Sequence, residues 1–167
     1  DGTRRLVVAR FAIGEVAETS ATWNGAWTAE PPEWLGEYHC AQPNVRRVRY
    51  WLPEWKNILF RAPGSNLERM IAAGFDGIAL GGLDVFTSFE AVRPSARREM
   101  IQIMRELAAA ARVLKPGFIV IAQNAETLLS DPDYRMIIDG IAIEGLLYSA
   151  NASGERNAAW EISQSMA

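Results

Sequence analysis

What most constrains this chain is a set of four apolar runs, each halting at polar or acidic residues, with helix-forming stretches before the next run begins. Leu6-Val7-Val8-Ala9-Arg10-Phe11-Ala12-Ile13 ends at Gly14-Glu15, and Asp76-Gly77-Ile78-Ala79-Leu80 runs into Gly81-Gly82-Leu83-Asp84. Phe118-Ile119-Val120-Ile121-Ala122 ends at Gln123-Asn124, and Ile138-Asp139-Gly140-Ile141-Ala142-Ile143 ends at Glu144. Strands covered on both faces read as near-continuous apolar segments. In parallel α/β sheets the groups at their carboxyl ends gather on one rim, where ligands bind. The acids that end these runs are therefore expected on a shared rim.

A chain of 167 residues that is 49% hydrophobic can bury a substantial core, and residues 1–167 are read as one α/β domain. A formal charge of −3 offers no basic surface, so nucleic acid is excluded as a partner. The one basic run, Arg46-Arg47-Val48-Arg49-Tyr50, alternates as a strand does and reads as the flank of one. The single Cys40 excludes an intrachain disulfide, and with His39 as the sole histidine a zinc site would have to recruit carboxylates. Neither a metal nor an organic cofactor is expected. No apolar stretch approaches membrane-spanning length, so no membrane partner is expected. The first residues carry no signal-peptide core, although a removed signal would leave no trace, which keeps the compartment open.

Residues 16 to 44 hold Trp23, Trp27, Pro31-Pro32 and Trp34 without a sustained period, and are expected to form a long, ordered, functional loop. Val45 to Trp51 is expected as a second strand, with Pro53 starting a helix after it. Ser65 or Asn66 caps the next helix and Gly74 closes it. The clearest helix begins near Ser95, spaces Met100, Ile103, Met104, Leu107, Ala111 and Leu114 at helical period, and stops at Lys115-Pro116-Gly117. Asp131 caps a helix opened by Pro132, and a last helix is expected from Ala158 to Ser165. Five strands, each after the first reached through a helix-bearing connection, predict a parallel sheet. A (β/α)8 barrel needs eight, so the expected fold is part of one.

Several segments, in order, resemble the endo-alpha-1,4-polygalactosaminidase family of glycoside hydrolases. They are Ala12-Ile13-Gly14-Glu15-Val16-Ala17-Glu18, Pro32-Glu33-Trp34-Leu35-Gly36, Val48 to Trp55, Ala73-Gly74-Phe75-Asp76-Gly77-Ile78, Pro116-Gly117-Phe118 with Gln123-Asn124, and Ile138 to Glu144. The resemblance implies a TIM barrel, an extracellular setting and an amino-sugar polysaccharide, galactosamine-containing, as substrate. Set against that pattern, the chain is a partial (β/α)8 barrel with about five parallel strands, lacking counterparts of strands 1, 2 and 8. Its two open sheet edges would invite another chain, so a homo-oligomer is expected.

Glycosidases ordinarily place two carboxyl groups on either side of the scissile bond. Where the family's strand ends in Tyr-Leu-Asp with a catalytic Asp, this chain has Ala79-Leu80-Gly81. The resemblance assigns the partner acid to Glu144, with Asp84, or less readily Glu15, as a stand-in for the missing one. Displacement by even about 1 Å can cost roughly 100-fold in rate, so activity is expected to be reduced or lost. Glu15, Glu18, Tyr50, Trp51, Gln123, Asn124 and Tyr148 are the expected saccharide-binding residues, with Trp23 and Trp27 from the long loop. Bland alternatives stand beside these roles: Glu15 could pair with Arg10, Glu18 could be solvated, and Asp84 could cap a turn. Asp76 and Asp139 open their strands at the opposite rim and read as structural, and Trp34, Trp55 and Trp160 read as core.

Overall fold

The computed structural model describes residues 4–39, 42–148 and 155–158. Strands β1 (Val8–Ala12), β5 (Gly77–Gly81), β6 (Ile119–Gln123) and β7 (Gly140–Ala142) lie side by side in that order, all parallel. They are the four apolar runs of the sequence. Helix α3 (Ala96–Leu114) fills the connection from β5 to β6, and α4 (Pro132–Ile137) that from β6 to β7. The architecture is a partial (β/α) barrel.

The two faces of the sheet differ sharply. Ile78, Leu80, Val120 and Ala122 are fully buried, in one core with Met100, Ile103, Met104, Leu107 and Ala111 of α3. Each such Leu, Ile or Met contributes on the order of 1.5–3 kcal/mol by leaving water. The alternate residues form the other face in register: Arg10, Ala79, Ile121 and Gly140 make one row, and Ala12, Gly81, Gln123 and Ala142 the next. Ile119 and Ile121 on that face are only half-buried.

The fifth expected strand departs from the reading. Only its first four residues, 45–48, lie in a strand, β4 (Gln42–Val48), which pairs antiparallel between β2 (Glu15–Ala17) and β3 (Leu35–His39) in a separate three-stranded sheet, while Arg49 to Trp51 fall past its end. The parallel strands therefore number four, and β1 pairs directly with β5. The segment from 16 to 44, expected as a loop, supplies β3 and most of β2, with one 3-10 turn at Gly25–Thr28. Its order comes from indole packing: Trp23 meets Trp27 at 5.5 Å, Trp27 meets Trp34 at 4.8 Å, and Trp34 stacks on the buried Trp55 at 4.6 Å. Trp34 and Trp55 are core, as expected.

The helix signals hold with one exception. Pro53 opens α1 (Pro53–Lys56), which continues as a π turn through Arg61. Ser65 caps α2 (Asn66–Ala72) through Glu68 N–H at 3.5 Å, and Gly74 follows with φ +89°. Asp131 accepts from Asp133 N–H at 2.8 Å at the start of α4. Ser95 occupies the cap position of α3 without a side-chain hydrogen bond to the helix backbone. Asp76 and Asp139 are structural: Asp76 accepts from Val7 N–H and pairs with Arg4 and Lys115, and Asp139 accepts from Val120 N–H and pairs with Arg112. The helix expected from 158 to 165, including Trp160, falls almost wholly outside the described residues, as does Cys40.

Candidate active site at the strand-end rim

Gly81 and Gln123 end β5 and β6, and Glu15, Gly82, Asp84, Asn124 and Glu144 lie within three residues past the carboxyl ends of parallel strands, the rim on which barrel sites are built. At its tightest point two glycines let backbones meet. A Cβ on Gly14 would lie 2.0 Å from the Gly82 carbonyl oxygen. Gly82 itself has φ +68°, and a Cβ there would come within 2.7 Å of Glu15 Cγ. The turn after β5 is thereby pressed against the start of β2.

That closeness shapes the electrostatics. The Glu15 side chain is only 13% exposed, with the Arg10 guanidinium 3.7 Å away. Burial pushes the Glu15 carboxyl above the usual carboxylate range; Arg10 and His39 oppose the shift, and the charge of Asp84 adds to it. Glu15 and Asp84 thus sense one another, with Glu15 the sheltered member and Asp84 exposed at the head of a 3-10 turn, Asp84–Ser88.

Gly81 has no such crowding. A Cβ built there meets Arg10 Nε at 3.5 Å, Gln123 Oε1 at 3.6 Å and Arg10 Nη2 at 3.7 Å, all ordinary contacts. A Cβ is therefore accommodated there, in contact with a guanidinium and an amide. Arg10 was legible in the sequence as the single charge in an apolar strand; its place beside Gly81 was not.

On the far side, Asn124 and Ala125 carry φ +59° and +61°, a conformation uncommon outside glycine. It directs the Asn124 side chain to accept from Glu144 N–H at 2.9 Å, while Asn124 N–H donates to Ala142 O at 2.8 Å. Asn124 is thus a positioning residue for the segment carrying Glu144. Glu144 is exposed.

The other expected binding residues divide. Tyr50 is a correction: it is fully buried, and its hydroxyl donates to Ala96 O at 2.8 Å, so it serves the core. Trp51 is half-buried, edge-on to Tyr50 and Phe89, with the Arg93 guanidinium 4.4 Å over its ring. That ring face is occupied. Glu18 accepts from the Tyr38 hydroxyl at 2.7 Å, tying β2 to β3. Tyr148 is 58% exposed beyond β7, and Trp23 and Trp27 are half-buried. A cleft of about 420 Å³ lies beside Glu15 and not around Glu144, lined by Arg10, Phe11, Trp55, Asn66 and Met70. Asn66 gave no functional signal in the sequence, since it reads as a candidate helix cap.

The fold is a partial (β/α) barrel of the kind seen in glycoside hydrolase domains. The glycoside hydrolase domain of PelA from Pseudomonas aeruginosa superposes with a TM-score of 0.67 at 17% identity, over 95% of this chain and 59% of that one. An alpha-amylase from Geobacillus thermoleovorans gives 0.54 at 15% identity, over 85% and 31%. No family model matches the chain. In sequence it is 38% identical over 156 residues to an uncharacterized protein of Thermotoga maritima, covering 90% of this chain and 47% of that one. Uncharacterized proteins of Deinococcus radiodurans and Methanocaldococcus jannaschii match at 33% and 31%, over 48% and 42% of their lengths. The chain spans about half the length of the curated relatives it matches.

Proposed function

We propose that this chain is a saccharide-binding glycoside hydrolase relative of the polygalactosaminidase type, with hydrolysis reduced or lost. The observation that supports the reading is that β5 ends beside Arg10 and Gln123 in Gly81, with no carboxylate of its own. A glycosidase needs two carboxyl groups. Here Glu144 stands at the end of β7, but no carboxylate rises from the end of β5. Glu15, Asp84 and Glu144 make the rim acidic, which suits a cationic, de-acetylated galactosamine polymer. Arg10 and Gln123 supply donors for sugar hydroxyls.

The test is restoration. A Cβ at Gly81 meets only ordinary contacts, and Gly81→Asp is expected to raise turnover of a galactosamine polymer, while adding Glu144→Gln is expected to abolish the gain. Saccharide binding by the unmodified chain, followed calorimetrically, is expected to weaken in Arg10→Ala. Robust turnover by the unmodified chain would instead assign the second acid to Asp84 or Glu15, and Asp84→Asn and Glu15→Gln would separate the two.

A further inference from the structure

The cleft beside Glu15 is walled by β1, β2, the turn at Ser20 to Thr22, β4 and α2, all between Arg10 and Met70 of this chain. Its shape is fixed by hydrogen bonds. Ser20 N–H donates to Ala17 O at 3.0 Å and Trp23 N–H to Ser20 O at 3.0 Å, which set the turn. Asn66 Nδ2 donates to Thr22 Oγ1 at 2.9 Å, which ties that turn to α2. With the walls held in this way, little further ordering is left to oppose the entry of a ligand.

Two polar groups on these walls lack a hydrogen-bond partner. Ser20 Oγ is buried and bonds to nothing among the described residues. The Glu15 side chain, mostly buried, accepts no hydrogen bond from them either; Arg10 Nη2, at 3.7 Å, is too far to donate one. Buried polar groups in folded proteins are nearly always paired, and two exceptions in one cleft point to a partner that comes from outside. Phe11, Val16, Val45 and Met70 give the remaining lining an apolar character. The volume, about 420 Å³, lies near the lower bound for ligand clefts and suits one sugar unit with its substituent.

We propose that this cleft is a subsite for an N-acetylated amino sugar, held by its acetamido group. Each part of that group has a counterpart on the walls. The N–H donates to a Glu15 oxygen, the carbonyl oxygen accepts from the Ser20 hydroxyl, and the methyl lies against the apolar lining of Val45 and Met70. A free amine is the poorer match. Its ammonium would be a second cation beside the Arg10 guanidinium, and it would leave the apolar lining without a contact. Burial also raises the Glu15 carboxyl, which lessens its attraction for a cation. That the ligand is a sugar rests on the saccharide-binding reading above; selection of the acetamido group requires no turnover.

Calorimetric titration of the unmodified chain with N-acetylgalactosamine and with galactosamine tests the subsite. The acetylated sugar is expected to bind at least about tenfold more tightly, the worth of one hydrogen bond and a buried methyl. Ser20→Ala is expected to weaken it roughly fivefold. The same variant should keep or raise its urea midpoint, because the hydroxyl it removes bonds to nothing in the free protein. Ala21→Trp, at an exposed turn position lining the cleft, is expected to block binding. Equal or tighter binding of galactosamine, or unchanged affinity in both variants, would overturn the acetamido subsite and leave the saccharide reading standing. Selective binding of N-acetylgalactosamine by a chain that ignores a galactosamine polymer would uphold the subsite and overturn the polymer reading. Binding of neither the two sugars nor the polymer would overturn both.

Discussion

Two tyrosines at the same level of burial separate structure from expectation. Tyr50 and Tyr134 are both fully buried, but the hydroxyl of Tyr50 donates to Ala96 O while that of Tyr134 has no partner among the described residues. Burial pushes the Tyr134 hydroxyl up to about 12 and raises Tyr50 as well. A satisfied buried hydrogen bond contributes about 1 kcal/mol, and an unsatisfied group costs about 1–3 kcal/mol. Urea denaturation is therefore expected to find Tyr50→Phe destabilised by about 1 kcal/mol. Tyr134→Phe should be unchanged or more stable. Adjacent glycines make a second contrast. Gly82→Ala meets Glu15 and a left-handed backbone and is expected to lose at least about 1–2 kcal/mol, whereas Gly81→Ala meets only ordinary contacts. Glu15 should titrate above ordinary carboxyls in a carbon-detected NMR titration, and Arg10→Ala should move it further up, because Arg10 holds it down.

At the scale of elements, legibility followed the way each element is buried. The four parallel strands and α3 were readable because two-sided burial and a 3.6-residue period write themselves into hydrophobicity. Met104→Ala in α3 should accordingly cost about 2–5 kcal/mol, and Val113→Ala, 82% exposed on the same helix, within about 0.5 kcal/mol of nothing. The three-stranded sheet was not readable. β2 has three residues, too few to establish a period, and β3 is held through Trp34 and Leu35 by packing with residues distant in sequence. β4 was recognised as a strand from its alternating arginines, but alternation carries no direction, so its antiparallel pairing went unseen. The site divided in the same way. Rim acids were placed by the strand ends, while Tyr50 was misread because it lies past the end of β4, in the turn before α1, where packing against α3 and not strand register decides its burial.

For the whole molecule, the base of the sheet and its rim respond to pH in opposite senses. Asp76 at the base is held below the ordinary carboxylate range by the Val7 amide and by Lys115 and Arg4. Its contribution is present above the pKa of the unfolded chain and is lost as pH falls through the depressed folded value. Glu15 at the rim is raised, so its effect is most favourable below the unfolded pKa and declines as pH climbs through the raised folded value. Asp76→Asn should flatten the acid limb of a melting-temperature profile, and Glu15→Gln should raise stability near neutrality.

The indole row from Trp23 to Trp55 has an optical consequence. Four chromophores spaced 4.6 to 5.5 Å apart do not absorb independently; their transitions mix, and the sign of the resulting ellipticity depends on their mutual angles. One spectroscopic band therefore reports jointly on a surface segment and the deepest tryptophan of the core, and any ligand that tilts Trp23 will be recorded by the chain without a label.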